Sequence, residues 1–216
     1  MAAHVRRINS QDKIATGILT AIVGLVLLIL AAIVVYILVA GAGKLFDVDF
    51  LTSKPQQFKA GGGIGPELFN SFYLLFLTLV ISVPLSLGAA IYLSQYAPEN
   101  WVTSVAKTII ETLSSLPSIV VGLFGFLFFV LTMGWGFSIV AGAVALTMFN
   151  IPILVRLCQQ ALEDVPRSQR DAGLAMGLTR WETTIHVLLP AAMPAIVTGI
   201  VLSAGRVFGE AAALIF

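Results

Sequence analysis

From Thr112 to Val155 the chain contains 44 consecutive residues without a charged side chain, TLSSLPSIVVGLFGFLFFVLTMGWGFSIVAGAVALTMFNIPILV. One helix of that length would overshoot a bilayer core, about 30 Å thick, roughly twofold. The stretch must therefore fold back on itself. The turn is predicted at Gly134-Trp135-Gly136, where the glycines permit unusual backbone angles and the tryptophan suits a membrane interface. Two spans are predicted, Ile109–Met133 and Phe137–Val155.

The composition of the whole chain agrees with a membrane environment. Of its 216 residues, 58% are hydrophobic and only 11% are charged, and the mean hydropathy is +0.99. A soluble domain is typically about a quarter charged, and a soluble monomer avoids large exposed apolar areas. The formal net charge of +1 gives no sign of nucleic-acid binding. The single cysteine, Cys158, excludes an internal disulfide and a multi-cysteine metal site.

Three further spans are predicted. The first lies within Ile14–Gly43, whose 30 uncharged residues exceed the apolar region of a signal peptide, so that a retained anchor is favoured over a cleaved leader. The second runs from near Leu68 to before Pro98, and the fifth begins at Val187. The chain stops at Phe216 inside an apolar run, which predicts a truncated sequence without a sixth span. The expected fold class is an all-α integral membrane protein.

The distribution of Lys and Arg predicts the orientation of these spans. Five alternating spans place eight basic residues on one side and three, balanced by acids, on the other. Cytoplasmic connections carry the excess of Lys and Arg. We therefore expect the N-terminus and the Arg156–His186 loop to be cytoplasmic and the Lys44–Glu67 connection to be external.

The Arg156–His186 loop has the sequence pattern of a helical hairpin. Asp164 is predicted to cap a helix with Pro166 in an early position, where a missing N–H costs little. This helix ends at Gly177, and Thr179 opens a second helix with Glu182 in capping-box spacing.

Small residues give the first hairpin helix a low-relief face. Gly173 and Gly177 form a GxxxG, but charges nearby exclude the apolar segment in which that motif joins membrane helices. We expect the face made by Ala172, Gly173 and Ala175 to receive the surface of another protein.

The hairpin resembles the cytoplasmic signature of the ABC-importer permease family. The matching residues are Asp171-Ala172-Gly173, Gly177, Val187 and Leu189-Pro190, with Asp in place of the usual Glu, Gly in place of the second Ala and Val in place of a common Ile. By this resemblance, coupling to an ATPase is assigned to Asp171, Ala172, Gly173, Gly177, Leu189 and Pro190. Three other stretches resemble the phosphate-permease (PstA) type of the family: Gly61-Gly62-Gly63-Ile64-Gly65-Pro66, Glu111 to Val120, and Gly205-Arg206-Val207-Phe208-Gly209-Glu210.

The resemblance covers about Gly61 to Phe216 and implies a MetI-like helix bundle in the bacterial inner membrane. By this resemblance the chain has two parts. Residues 1–60 contain the cytoplasmic N-terminus, the first span and the start of the external loop. Residues 61–216 form the permease core, with the coupling hairpin at about 158–190. The resemblance implies four kinds of partner: a second homologous permease subunit, two ATP-binding subunits, a periplasmic phosphate-binding protein and membrane lipid. The chain has no G-x-x-x-x-G-K-[ST] motif, since its only Gly-Lys pair is Gly43-Lys44. It is therefore expected to be a transport subunit without a cofactor, not an enzyme.

Two charges fall within the fifth span. Only 15 uncharged residues separate Pro190 from Arg206, so a full crossing places Arg206 and Glu210 in the membrane, where charge usually marks a pathway or a pair. Spacing i, i+4 puts both on one helix face. Either they form a structural ion pair, or Arg206 donates to phosphate while Glu210 holds it in wait or accepts a proton.

Polar residues near Pro117 are the other candidates for the pathway. Pro117 is expected to break the third span, and Ser114, Ser115 and Ser118 either line the path or join helices. Glu111 is expected at the start of that span, near the positive end of its dipole. A break at Asn150 and Pro152 favours packing over substrate contact, and His186 is expected to be an exposed loop residue.

Three alternatives to a phosphate permease are considered. A permease for another oxyanion, such as sulfate or molybdate, would use the same donors of Arg206. A membrane-embedded enzyme would need a catalytic constellation, and the sequence contains no His/Cys cluster or carboxylate dyad at plausible depth. A structural scaffold would leave Arg206 and the hairpin without a role.

Overall fold

The structure is a computed structural model that describes residues 2–56 and 62–210, with side chains from residue 12 onward. Gly61, the first residue of the glycine-rich motif, and the apolar end at 211–216 lie outside the described residues. Every regular element in the described part is helical, apart from an isolated bridge between Pro55 and Gly62, which confirms the all-α fold.

The chain divides into two compact units, Met1–Pro66 and Glu67–Phe216, while the predicted boundary at 61 remains a prediction. The first unit contains helix α1 (Ala2–Leu45), which includes the predicted first span, and the short helix α2 (Val48–Thr52). Asp47 caps α2 by accepting from the Phe50 amide at 3.2 Å and also pairs with Lys44 at 3.1 Å. The hydrogen bond from Lys44, and to a smaller extent that from the Phe50 amide, lowers the pKa of Asp47.

The second unit holds the remaining helices. They are α3 (Gly65–Ile91), which begins just before the unit and ends in a π-helical turn (Tyr92–Tyr96); α4 (Trp101–Ser114); α5 (Ser118–Gly125), which continues as a π-helix (Phe126–Thr132); α6 (Ile139–Glu163); α7 (Arg167–Ala175); α8 (Arg180–Thr183), followed by a π-helical turn (Thr184–Leu188); and α9 (Leu189–Gly209).

In the described part of the chain, four helical segments are long and apolar enough to cross a membrane. They are Asp12–Leu45, Gly65–Tyr96, Ile139–Glu163 and Arg180–Gly209. A fifth crossing is possible if α4 and the segment Ser118–Thr132 count as one span, bent by 97°. Pro117 explains the bend, because it has no N–H to donate and disfavours helical backbone in the residue before it.

The third predicted span starts earlier than its apolar pattern suggested. Asn100 caps α4 by accepting from the Thr103 amide at 2.9 Å, so the helix begins at Trp101 rather than Ile109. Glu111 consequently lies in the last turn of α4. The predicted role of Glu111 at the positive end of a helix dipole is therefore wrong.

The predicted turn between the third and fourth spans is confirmed. Gly134 and Gly136 adopt φ angles of +70° and +64°, which favour glycine. Trp135 stacks on Phe129 with ring centroids 5.4 Å apart. Ser138 then caps α6 by accepting from the Ala141 amide at 3.2 Å.

Helix α6 is the centre of the second unit, and its neighbours run in opposite directions. Thr78 of α3 donates to the carbonyl of Ala143 at 3.5 Å, and Ser86 donates to that of Ile151 at 3.3 Å, so α3 and α6 are parallel. Helix α9 is antiparallel to α6, because Ser203 contacts Asn150 whereas the later Val207 packs on Leu146. The apolar core between these helices contains Leu154, Cys158, Leu162, Ala192 and Ile196.

Candidate functional site

Three polar side chains meet inside the bundle where α3, α6 and α9 come together. The Asn150 amide nitrogen donates to Ser82 Oγ at 3.0 Å, and Ser203 Oγ donates to Asn150 Oδ1 at 2.6 Å. All three side chains are buried. Buried polar groups need hydrogen-bond partners, and these three side chains provide them for one another. The predicted packing role of Asn150 thus takes the form of a hydrogen-bonded link between three helices.

Arg206 lies one helical turn beyond Ser203, on the surface of the bundle. Its guanidinium carbon is 4.7 Å from the ring centroid of Phe149, which is itself buried. Phe149 is ten residues from the start of α6 at Ile139, or about 15 Å along the helix. No ion pair to Arg206 occurs between described groups. Among the described residues, Arg206 therefore lies over an aromatic ring and has no counter-ion.

Glu210 does not share a helix face with Arg206. Helix α9 ends at Gly209, and Glu210 has φ −82° and ψ +83°, outside the helical region. The i, i+4 pairing considered from the sequence assumed that the helix continues through Glu210. Because it stops one residue earlier, the two side chains form no salt bridge within residues 62–210.

The three candidate serines lie at the bend between α4 and α5. Ser114 donates to the Glu111 carbonyl and Ser115 to the Thr112 carbonyl, each at 2.7 Å. Ser118 is the first residue of α5 and is half-buried. No hydrogen bond in the described part of the chain joins these serines to Arg206 or Glu210. Their place in a substrate pathway remains a prediction.

Charged residues that the sequence did not pair connect α4 to α6 near the hairpin. Glu111 pairs with Arg156 at 3.1 Å, and Lys107 with Glu163 at 3.9 Å. Both pairs are largely exposed and contribute little stability, about 0–1 kcal/mol each. Their sequence signal is a spacing of one turn on α4 and two turns on α6 with opposite charges, which matches two antiparallel helices.

The hairpin forms as predicted, with one correction at its start. Thr179 and Glu182 make the predicted capping box, and Gly177 adopts φ +84° where the first helix ends. Asp164, however, ends α6, and its amide donates to the Gln160 carbonyl at 2.9 Å. Pro166 is the N-cap of α7. Because α6 runs on past the apolar segment, Asp164 closes one helix and does not open the next.

Gly173 has a different role from the predicted open face. It is buried, and a Cβ added there would lie 2.8 Å from Thr183 Cγ2. Its missing side chain therefore lets α7 approach α8 within the hairpin itself. Gly177 faces open space, so that position is restricted by its backbone angle and not by crowding.

The remaining coupling candidates split between surface and core. Asp171, Ala172 and Pro190 are exposed, whereas Leu189 packs against the apolar core of the bundle. His186 is exposed, as predicted, but it lies in the π-helical turn Thr184–Leu188 and not in a loop. Two large apolar side chains near the tip are also exposed, Met176 at 84% and Trp181 at 59%. These exposed residues form the surface that a partner could reach.

A cleft of about 540 Å³ separates α7 from the connection between α3 and α4. Its charged lining is balanced, with three cations and three anions: Lys107, Arg167, Arg170, Glu99, Glu163 and Asp171. The cleft is thus lined by α7, by the end of α3 and by the start of α4.

The described helices thus form a bundle with parallel and antiparallel neighbours, a helical hairpin at one end and an arginine that makes no ion pair with a described residue. Residues 82–216 match the family model described as "Binding-protein-dependent transport system inner membrane component". The chain therefore belongs to the family of ABC-importer permeases, and it is a transport subunit rather than an enzyme.

Similar proteins support the same family. A probable ABC transporter permease protein of Bacillus subtilis, YqgI, is 48% identical over 205 residues, which cover 95% of this chain and 69% of that protein. The phosphate transport system permease protein PstA of Yersinia pestis is 37% identical over 171 residues, covering 77% of this chain and 56% of PstA. The chain thus spans little more than half the length of that relative.

A solved structure shows the same fold. The MetNI methionine ABC transporter in an inward-facing conformation matches with a TM-score of 0.56 and 24% identity, over 68% of each chain. The predicted MetI-like bundle is therefore confirmed.

Proposed function

We propose that this chain is the permease subunit that carries inorganic phosphate across the inner membrane in an ATP-driven importer. One observation carries the proposal: Arg206 lies on the bundle surface within a candidate membrane span, over Phe149 and with no ion pair among described residues. An arginine exposed to lipid is costly, so a surface position within a span favours a path or a partner subunit beside it. The similarity to PstA of Yersinia pestis favours phosphate as the anion.

The chemistry of Arg206 suits this substrate. Its planar fork donates two parallel hydrogen bonds to phosphate oxygens, and its positive charge attracts the anion. Glu210, half-buried just after α9, accepts a proton from phosphate, or holds the arginine in a second conformational state, since the two side chains form no salt bridge in this one. Ser114, Ser115 and Ser118 offer hydroxyls to the same path from the bend.

The chain supplies half of the path, and partners supply the rest. We propose a second homologous permease beside Arg206, two ATP-binding subunits on the hairpin side, and a periplasmic phosphate-binding protein on the other side. ATP binding would move the hairpin and rock the spans between inward-open and outward-open states. The N-terminus and hairpin are then cytoplasmic.

Uptake of labelled phosphate, normalised to assembled complex, tests the role of Arg206. Arg206→Gln removes the charge, and Arg206→Lys keeps it but loses the fork; both should lower uptake at least about tenfold, the value of one to two charge-assisted hydrogen bonds. Arg206→Gln combined with Glu210→Gln should not recover it. Near-parental uptake by this double variant would show that Arg206 makes no essential contact with phosphate.

Competition with other anions tests the substrate. The guanidinium donates equally well to sulfate or molybdate, so Arg206 alone does not select phosphate. Excess sulfate or molybdate should leave phosphate uptake unchanged. Transport of either competitor in preference to phosphate would replace the assignment with a permease for that oxyanion.

A further inference from the structure

Phe149 occupies the position where a counter-ion of Arg206 would be expected. A charged side chain inside a membrane usually pairs with an opposite charge. Here the guanidinium carbon is instead 4.7 Å from the Phe149 ring centroid, and the only carboxylate nearby in sequence, Glu210, has left the helix. We propose, on the basis of the proposed phosphate pathway, that Phe149 is a positioning residue that holds Arg206 against α6 without neutralising it.

The physical difference between a ring and a carboxylate carries this proposal. The negative face of an aromatic ring attracts a cation, most strongly when both are desolvated. It leaves the formal charge of the arginine intact and accepts no strong hydrogen bond from the guanidinium. A carboxylate at the same place would compete with an incoming anion for the same donors. The ring therefore keeps the arginine in place and available.

The surroundings keep the ring itself in place. Phe149 is only 3% exposed, and its neighbour Asn150 is hydrogen-bonded to both α3 and α9. Ser203 lies one turn before Arg206, so the bond from Ser203 to Asn150 also sets the height of Arg206 against α6. Without the ring, the long arginine side chain could extend toward the nearer interface, as long basic side chains do.

The affinity for phosphate in the assembled transporter tests the role of the ring. Phe149→Leu and Phe149→Met remove the ring with modest change in volume, and Phe149→Tyr keeps it. The two ringless variants should raise the KM for inorganic phosphate about three- to thirtyfold, the loss expected for a partly desolvated cation–ring contact, while Phe149→Tyr stays nearer the parent.

The chain offers a matched control in Phe129. This phenylalanine is also buried, at 6% exposure, but within the described residues its ring contacts Phe128 and Trp135 and no cation. Phe129→Leu should leave the KM for phosphate unchanged in complexes that assemble. A parental KM in both ringless Phe149 variants, or an equal rise in Phe129→Leu, would overturn the proposal. So would failure of both ringless variants to assemble while Phe149→Tyr assembles, because the ring would then serve packing.

Arg206→Gln separates this inference from the function on which it rests. If Arg206→Gln transports phosphate normally, the proposed pathway fails and the role of Phe149 with it. If Arg206→Gln loses uptake while the ringless variants keep the parental KM, only the role of the ring fails.

Discussion

Asn150 is a polar residue inside a membrane span, and hydrogen bonds to two serines offset the free-energy cost of burying its amide group. An unpaired amide at mid-depth would be strongly unfavourable, since lipid supplies no hydrogen bonds. Its two bonds, to Ser82 and from Ser203, remove that cost and specify how α3, α6 and α9 align. Arg206 obtains its position from this alignment, although it makes no bond to the three residues.

We expect Asn150→Leu to destabilise the protein by about 1–2 kcal/mol, because Ser82 and Ser203 would each lose a partner inside the bundle. The free energy of unfolding in detergent micelles measures the effect. Thr198→Val is the matched control, since Thr198 is exposed on α9 and donates only to the Pro194 carbonyl of its own helix. An Asn150→Leu protein as stable as the control would show that the link contributes nothing.

The hairpin formed by α7 and α8 combines a packed inner side with an exposed outer side. Gly173 belongs to the inner side, against Thr183, and Ala172 to the outer side. Bulk added at the two positions should therefore have different consequences. A larger side chain at Gly173 disturbs the packing of the hairpin. A larger side chain at Ala172 contacts only a partner protein that docks on the hairpin.

We expect Ala172→Trp to reduce co-purification of the ATP-binding subunits at least about tenfold without lowering the amount of permease in the membrane, because a large side chain would prevent close approach. Lys54→Trp, at an exposed position in the other long connection, is the control. Full recovery of the complex by Ala172→Trp would exclude this face as the docking surface.

Gly173→Val should instead destabilise the hairpin by about 1–3 kcal/mol, the usual cost of overpacking. Limited proteolysis between α7 and α8 would detect it as faster cleavage. Thr183→Ala removes the methyl group that the new side chain would meet, so Gly173→Val with Thr183→Ala should regain part of the protection. Cleavage of Gly173→Val at the parental rate would contradict this packing.

The directions of the helices in the second unit agree with an alternating path through the membrane. Helices α3 and α6 run one way and α9 the other, so the hairpin between α6 and α9 lies at one end of the bundle. Which end faces the cytoplasm is a proposal that rests on the distribution of Lys and Arg.

Labelling with a membrane-impermeant thiol reagent on intact cells tests the orientation. The native Cys158 is unsuitable, because at 1% exposure its thiol would not react from either side. In a Cys158→Ala background, a cysteine at the exposed Met176 should remain unlabelled, and one at Lys54 should be labelled. Rapid labelling at position 176 with none at 54 would reverse the topology.

The features that could be predicted from the sequence are those that depend on nearby residues. The uncharged run, the turn at Gly134-Trp135-Gly136 and the capping box at Thr179 all follow from local composition and backbone preference. The start of α4 was misplaced, because Asn100 caps the helix well before the apolar pattern begins.

Contacts between distant segments could not be predicted in the same way. Ser82 is 68 residues from Asn150, and Ser203 is 53 residues from it, and nothing in their types selects that pairing over other serines. The contact between Arg206 and Phe149 and the contact between Gly173 and Thr183 could not be predicted either. The packing of helices decides which side chains meet.

The position of Asn150 between its two partners has a consequence for biosynthesis. The ribosome completes α3 and α6 before it makes α9, so the bond to Ser82 can form in an unfinished bundle, whereas the Asn150 carbonyl has no serine donor until α9 inserts. The insertion of helix α9 thus completes the hydrogen-bonded link between Ser82, Asn150 and Ser203. Helix α9 also carries Arg206, so the ribosome makes this arginine only after the helix with the Phe149 ring that it contacts.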